Sequence, residues 1–230
     1  MPNYTFKDGV TVKPKDLENI LLQYPEKFGW FLSNGYAPHY YQSLFHANTN
    51  EDKLTRFRHL VAGRRGGKTL SAAWEVLFYC LFPEQFHKDA RGRDDSSPLW
   101  VWATSKDYKV LRPALLTWRK VITEAGLSIG KDVKENRGAM TFEFPNGSLI
   151  EFKSSDDPQS LRGAGLDILW MDVAAFIRSE EPWQVMRPAL SDKQGLLITT
   201  TTPDGKNWFY DEFWNKDSLA DPNQGRVEYR

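Results

Sequence analysis

The chain has 230 residues, 40% hydrophobic and 14% aromatic, which excludes disorder and allows one large or two small domains whose core needs no disulfide or structural metal. Its 30 basic and 30 acidic residues cancel, so it lacks the positive field of an autonomous nucleic-acid binder, and any DNA contact is local or shared among subunits. No run approaches ~18 apolar residues and the stretch MPNYTFKDGVTVKPKD has no apolar signal core, so the expectation is a soluble, intracellular protein without a membrane partner.

In chain order, Leu17 to Tyr24 is amphipathic and Phe28 to Phe45 is rich in aromatics, which predicts peripheral helices across an N-terminal segment, residues 1–55, of the same domain. From Arg56 onward short apolar runs alternate with longer helical patterns, the signature of a mostly parallel α/β sheet. The strands predicted are Phe57 to Ala62, Leu99 to Ala103, Ile168 to Asp172 and Leu196 to Thr200, each apolar enough for burial on both faces. Thr69 to Phe82 reads as a helix with Leu70, Ala73, Trp74, Leu77 and Leu81 on one face and Pro83 as its stop. Cys80, the single cysteine, lies in its apolar part and reads as core. The polar run His87 to Pro98 predicts an exposed, mobile loop, and Lys106 to Glu124 a helix kinked or split at Pro113. Met140, Phe142 and Phe144 alternate with Thr141 and Glu143 ahead of the turn Pro145-Asn146-Gly147-Ser148, which predicts an antiparallel hairpin from Ala139 to Lys153. The fold class is therefore α/β, with a mostly parallel central sheet flanked by helices, plus a β-hairpin and N-terminal helices.

The strongest chemical signal is AGRRGGKT, Ala62 to Thr69, between a predicted strand and a predicted helix. Gly63, Gly66 and Gly67 let backbone N–H groups turn around phosphate oxygens at a helix start, Lys68 reaches the β- and γ-phosphates, and the Thr69 hydroxyl is offered to Mg²⁺. Ala62 stands where the strict pattern has Gly, a change the flanking Gly63 tolerates. Arg64 and Arg65 suit phosphate contact or solvent equally. A second carboxylate ligand for Mg²⁺ is needed on a neighbouring strand, and Asp172 closes the run LDILWMDVAAF; Asp167 begins the same strand and is the poorer candidate. This pairing resembles that of a P-loop NTPase of the ASCE type, a resemblance that implies a glutamate after the aspartate. Here position 173 is Val, which can neither accept a proton nor orient water, so slow or absent turnover is expected unless an acid such as Glu180 or Glu181 reaches in.

Taken together, these motifs resemble those of the large terminase subunit of tailed bacteriophages, over Tyr40 to Phe213. AGRRGGKT resembles that family's Arg-containing phosphate loop, and LWMDVAAF its second ATPase motif apart from Val173. The resemblance implies further roles. APHYYQSLFH, Ala37 to His46, resembles the segment whose glutamine reads the adenine edge, which points to Gln42. SLRG in the block Asn146 to Asp167 resembles an arginine-finger context, which points to Arg162 acting on a neighbour in a ring. TTTTPDGKNWFYDEFW resembles a coupling motif with Thr200, Thr201 and Thr202 near the γ-phosphate. By the same resemblance the chain is an ATPase core (56–230) using ATP and Mg²⁺ to move double-stranded DNA into a capsid in the host cytoplasm. Its implied partners are the portal protein, the small terminase subunit and copies of itself, and the expectation is that the family's nuclease domain is absent from this chain. Two rivals remain: a helicase-like, nucleic-acid-stimulated ATPase, which needs a second recA-like lobe the sequence does not display, and a nucleotide-gated assembly module, favoured by Val173.

Overall fold

Strands buried on both faces favour apolar runs, and the four predicted runs form the middle of one eight-stranded sheet, although the first of them also buries Arg58 and His59. The computed structural model describes residues 4–5, 11–12, 21–47, 49–50, 53–163, 165–215 and 224–229; the predicted segment's start, Leu17 to Ile20, lies outside them. In chain order the elements are α1 (Pro25–Ser33), α2 (Tyr40–His46), β1 (Phe57–Ala62), α3 (Lys68–Leu81), α4 (Pro83–Arg91), β2 (Trp100–Ser105) and α5 (Tyr108–Glu124). They continue with β3 (Lys134–Asn136), β4 (Thr141–Glu143), β5 (Leu149–Ser154), β6 (Ile168–Asp172), α6 (Glu181–Lys193), β7 (Leu196–Thr201), α7 (Trp208–Phe213) and β8 (Gln224–Tyr229). The sheet order is β8-β1-β7-β6-β2-β5-β4-β3. Neighbours from β8 to β5 are parallel, and β4 and β3 add antiparallel pairs at the far edge.

One face of the sheet packs against α3, α5 and the N-terminal helices, the other against α6 and α7. On the first face Trp118 of α5 meets Phe142 and Phe152 of the predicted hairpin, each at 6.2 Å between ring centroids. The N-terminal helices are not peripheral. Phe28, Phe31 and Phe45 are fully buried in the same core cluster as Trp74 and Trp170, and each such side chain contributes roughly 1.5–3 kcal/mol of burial.

Two local expectations need correction. The stretch after Pro83 is not a loop from His87 onward: α4 starts at Pro83, whose fixed φ and missing N–H suit a first helical position, and runs to Arg91. It persists because Phe86 and His87 are buried and Gly92 closes it with a left-handed φ of 62°. Pro113 lies inside α5, yet the helix runs unbroken from Tyr108, where Asp107 caps it by accepting from Val110 N at 2.8 Å, to Glu124. Pro83 therefore starts one helix as well as ending another. At the lower edge of the sheet, Asp167 accepts from Arg91 Nη2 at 2.8 Å, Lys193 Nζ at 3.1 Å and Trp100 N at 2.8 Å, which settles its role as a structural tie. Cys80 is buried, and burial pushes its thiol far up. Among the described residues no helix is long and apolar enough to cross a membrane.

Candidate nucleotide site

The parallel strands end on a common edge, where an open α/β sheet binds ligands. There β1 leads through residues 63–67 into α3. Gly67, at φ 72° and ψ 12°, caps that helix in the left-handed region with no side-chain cap bond, and the first turn carries no acid. The N–H groups at the helix start thus meet no carboxylate of their own helix, as an anion site requires. The loop's other left-handed residue is Arg65, at φ 66°; Gly63 and Gly66 do not need positive φ, so their contribution is small size. Arg64 and Arg65 are exposed. Lys68 Nζ donates to the carbonyls of Ala62 at 2.8 Å and Gly63 at 2.7 Å. Burial lowers the Lys68 pKa, and Asp172 opposes that shift.

The strand register carries Asp172 to the same place, since β6 pairs with β7 so that Asp172 lies opposite Thr200. Thr69 Oγ1 donates to Asp172 Oδ1 at 2.9 Å and Thr200 Oγ1 donates to the same oxygen at 2.5 Å. Trp170 Nε1 donates to Thr200 Oγ1 at 3.3 Å. Behind the strand end, Ser105 Oγ donates to the Asp172 carbonyl at 2.8 Å, a tie that the sequence reading did not single out. Burial raises the Asp172 pKa, against the hydroxyls of Thr200 and Thr69 and the charge of Lys68. Lys68, Thr69, Asp172 and Thr200 therefore converge, offering a cation and oxygen donors around a helix start.

Val173 follows in the left-handed region, φ 57° and ψ 39°, where a β-branched side chain is strained by roughly 1–2 kcal/mol. The turn thus keeps a backbone shape that suits another residue better. Neither alternative acid joins the cluster: Glu180 Oε1 accepts from Gln184 Nε2 at 2.8 Å, while Glu181 Oε1 accepts from Gln159 Nε2 at 3.4 Å and lines a cavity with Lys106, Asp156 and Arg178. Thr201 Oγ1 accepts from Ala175 N at 3.1 Å, bracing the turn after Asp172.

Gln42 is buried beside the loop. Its Oε1 accepts from His39 N at 3.0 Å in a capping box at the start of α2, and a Cβ placed on Gly67 would come within 2.5 Å of its Nε2. Arg162 stands apart from the cluster, with Nε donating to Gln159 Oε1 at 2.6 Å, on a groove shared with Val185, Pro188 and Asp192 of α6.

A family profile described as "Terminase large subunit, T4likevirus-type, N-terminal" matches residues 59–222. The chain is 28% identical over 193 residues to a terminase large subunit of Thermus virus P23-45 and 27% identical over 192 residues to that of Thermus phage G20c, in each case over 78% of this chain. It spans 36% of the length of these curated relatives. Among solved structures, the large terminase ATPase domain of Thermus phage P74-26 matches with a TM-score of 0.65 at 25% identity, covering 88% of this chain and 84% of that one. The large terminase of another thermophilic bacteriophage, solved in complex with ADP, shares the fold with a TM-score of 0.57 at 14% identity, over 90% of this chain and 44% of that one. With the profile spanning well over half of its length, the chain belongs to the large terminase subunit family and carries the family's T4-like N-terminal domain.

Proposed function

We propose that this chain is the ATPase motor domain of a viral large terminase, which binds Mg-ATP at Gly63 to Thr69 and Asp172 and drives double-stranded DNA into a procapsid. The observation that carries the reading is the hydrogen bond of Thr69 to Asp172 beside Lys68, at the uncapped start of α3. The Thr69 hydroxyl and the Asp172 carboxylate are hard oxygen donors of the kind Mg²⁺ takes, together with waters and phosphate oxygens. Held by Thr69 and Asp172, Mg²⁺ would neutralise phosphate charge.

The protein's own groups do the rest. Backbone N–H groups of the loop and Lys68 hold the phosphates, with Arg64 and Arg65 at its exposed rim. Gln42 retains its amide N–H groups and a carbonyl lone pair for the adenine edge. Thr200, bonded to the same carboxylate oxygen as Thr69, passes a change at the γ-phosphate to the end of β7, with Thr201 holding the adjoining turn. Arg162, which bonds Gln159 and not the phosphate loop of its own chain, is assigned as a finger for a neighbouring copy. The partners this reading entails are DNA, the portal protein, the small terminase subunit and further copies of the chain, in the host cytoplasm.

Val173 favours a second reading, a nucleotide-gated assembly module that binds ATP without turning it over. Affinity for ATP and phosphate release, measured for wild type, Lys68→Ala and Val173→Glu, separate the readings. Micromolar or tighter binding is expected, weakened about 100-fold in Lys68→Ala, the worth of a pair of charge-assisted hydrogen bonds. A gain of phosphate release in Val173→Glu marks a motor; none marks the assembly module. Unchanged affinity in Lys68→Ala defeats both.

A further inference from the structure

A trans peptide points its carbonyl and its N–H in opposite directions, so whatever holds the Gly67 carbonyl along the helix axis aims the Lys68 N–H out of the helix start, towards a phosphate. That carbonyl accepts twice from one residue: from Ser71 N at 2.9 Å and from Ser71 Oγ at 3.0 Å. The Ser71 hydroxyl in turn accepts from Tyr36 Oη at 3.2 Å. Tyr36 Oη also lies 2.9 Å from His46 Nε2 and shares its one proton between that nitrogen and Ser71, because His46 Nδ1, 2.6 Å from the ionised Glu75 Oε2, carries the imidazole's own proton. The other Glu75 oxygen accepts from Lys27 Nζ at 2.9 Å and Arg58 Nη1 at 2.7 Å. Every side chain in this row is buried.

The hydroxyl that touches Ser71 is itself fixed, because the Tyr36 ring stacks on Trp74 at 5.0 Å with 1° between planes. Two neighbours of Tyr36 close on the same peptides: His39 bonds the backbone of Gly66, and Gln42 Nε2 occupies the space beside Gly67. A segment that precedes β1 thus grips the loop from outside it.

We propose that Tyr36 is a positioning residue for the phosphate loop, acting through Ser71 to orient the Gly67–Lys68 peptide and so setting the affinity for a nucleoside triphosphate. The proposal rests on the nucleotide reading above and adds to it a residue outside the loop and the strand ends.

The test compares wild type with Tyr36→Phe, Ser71→Ala, the double variant and Tyr79→Phe, each measured for affinity to a fluorescent non-hydrolysable ATP analogue with Mg²⁺ and for melting temperature. Tyr36→Phe keeps the ring on Trp74 and loses only the hydroxyl. It and Ser71→Ala should each weaken binding about fivefold, the worth of one net hydrogen bond, and the double variant should bind no worse than either, since the two hydroxyls act as one unit. Tyr79 accepts from Lys27 Nζ at 2.7 Å and donates to Asp89 Oδ2 at 3.1 Å, at the end of the network away from the loop. Tyr79→Phe should melt lower yet bind as wild type does, which a merely structural role for Tyr36 does not allow. Wild-type affinity in Tyr36→Phe, equal weakening in Tyr79→Phe, or losses that multiply in the double variant overturn the proposal. Absence of binding by folded wild type sinks the nucleotide reading instead. Should Tyr36→Phe not fold, Ser71→Ala set against Tyr79→Phe decides by the same outcomes.

Discussion

The two walls of the nucleotide cleft are built on opposite plans. On the side of α3, the loop shape is propped by a buried charged network: burial pushes the Glu75 carboxyl up, but Lys27, Arg58 and His46 outweigh it and hold it far below the usual carboxylate range. On the side of β6, the shape persists without matching chemistry, because Val173 occupies a left-handed turn that disfavours it. The lesson is that backbone geometry at a site can be maintained by its neighbours while the chemistry hangs on one side chain. Under the proposed reading, holding a nucleotide and cleaving it would accordingly be separable in this cleft.

The largest effect that breaks the comparison is expected from Glu75→Ala, which leaves the Lys27 and Arg58 charges buried without their counter-ion. Arg58 Nε and Nη2 already lack hydrogen-bond partners among the described residues. Urea melts should show a loss of about 3–5 kcal/mol, and a loss below about 1 kcal/mol contradicts the propped-wall picture. Across the cleft, Val173→Gly releases a strained turn and should gain about 1 kcal/mol in the same measurement; a loss means that the Val side chain's packing outweighs its backbone cost.

The smallest effect is a slope. Burial lowers the His46 pKa below its usual 6.5, against Glu75. The unfolded chain therefore binds more protons than the folded one below that value, so this group's stabilising contribution is present above pH 6.5 and is lost as pH falls. Melts at pH 7.5 and 5.5 should show a steeper acid loss in wild type than in His46→Gln, by at most about 1.4 kcal/mol per pH unit. Equal slopes remove His46 from the account.

The parts of this architecture that were legible in the sequence share one trait, a local pattern strong enough to override alternatives. β1 and β6 match their predicted bounds because strands buried on both faces are largely apolar runs, even with Arg58 and His59 inside β1. Lys68 and Asp172 stand out because glycine spacing and a strand-closing acid are local signals. By contrast β8, with the sequence QGRVEY, and α6, with Pro188 inside it, carry mixed patterns and take their form from packing against neighbours. The Lys27–Glu75 pair was illegible for a different reason: its partners stand 48 residues apart in the chain, and no local pattern joins them. Nor does the sequence at Arg65 or Val173 announce a left-handed backbone, since neither residue type favours one.

The Asp167 carboxylate has a mechanical consequence. By joining Arg91 of α4, Lys193 at the end of α6 and the backbone at the start of β2, it rivets the foot of the sheet, at the edge opposite the phosphate loop. A strand pinned at one end swings most at the other, so under the proposed reading a triphosphate would act on the free tips of β2 and β6, with the riveted foot serving as fulcrum.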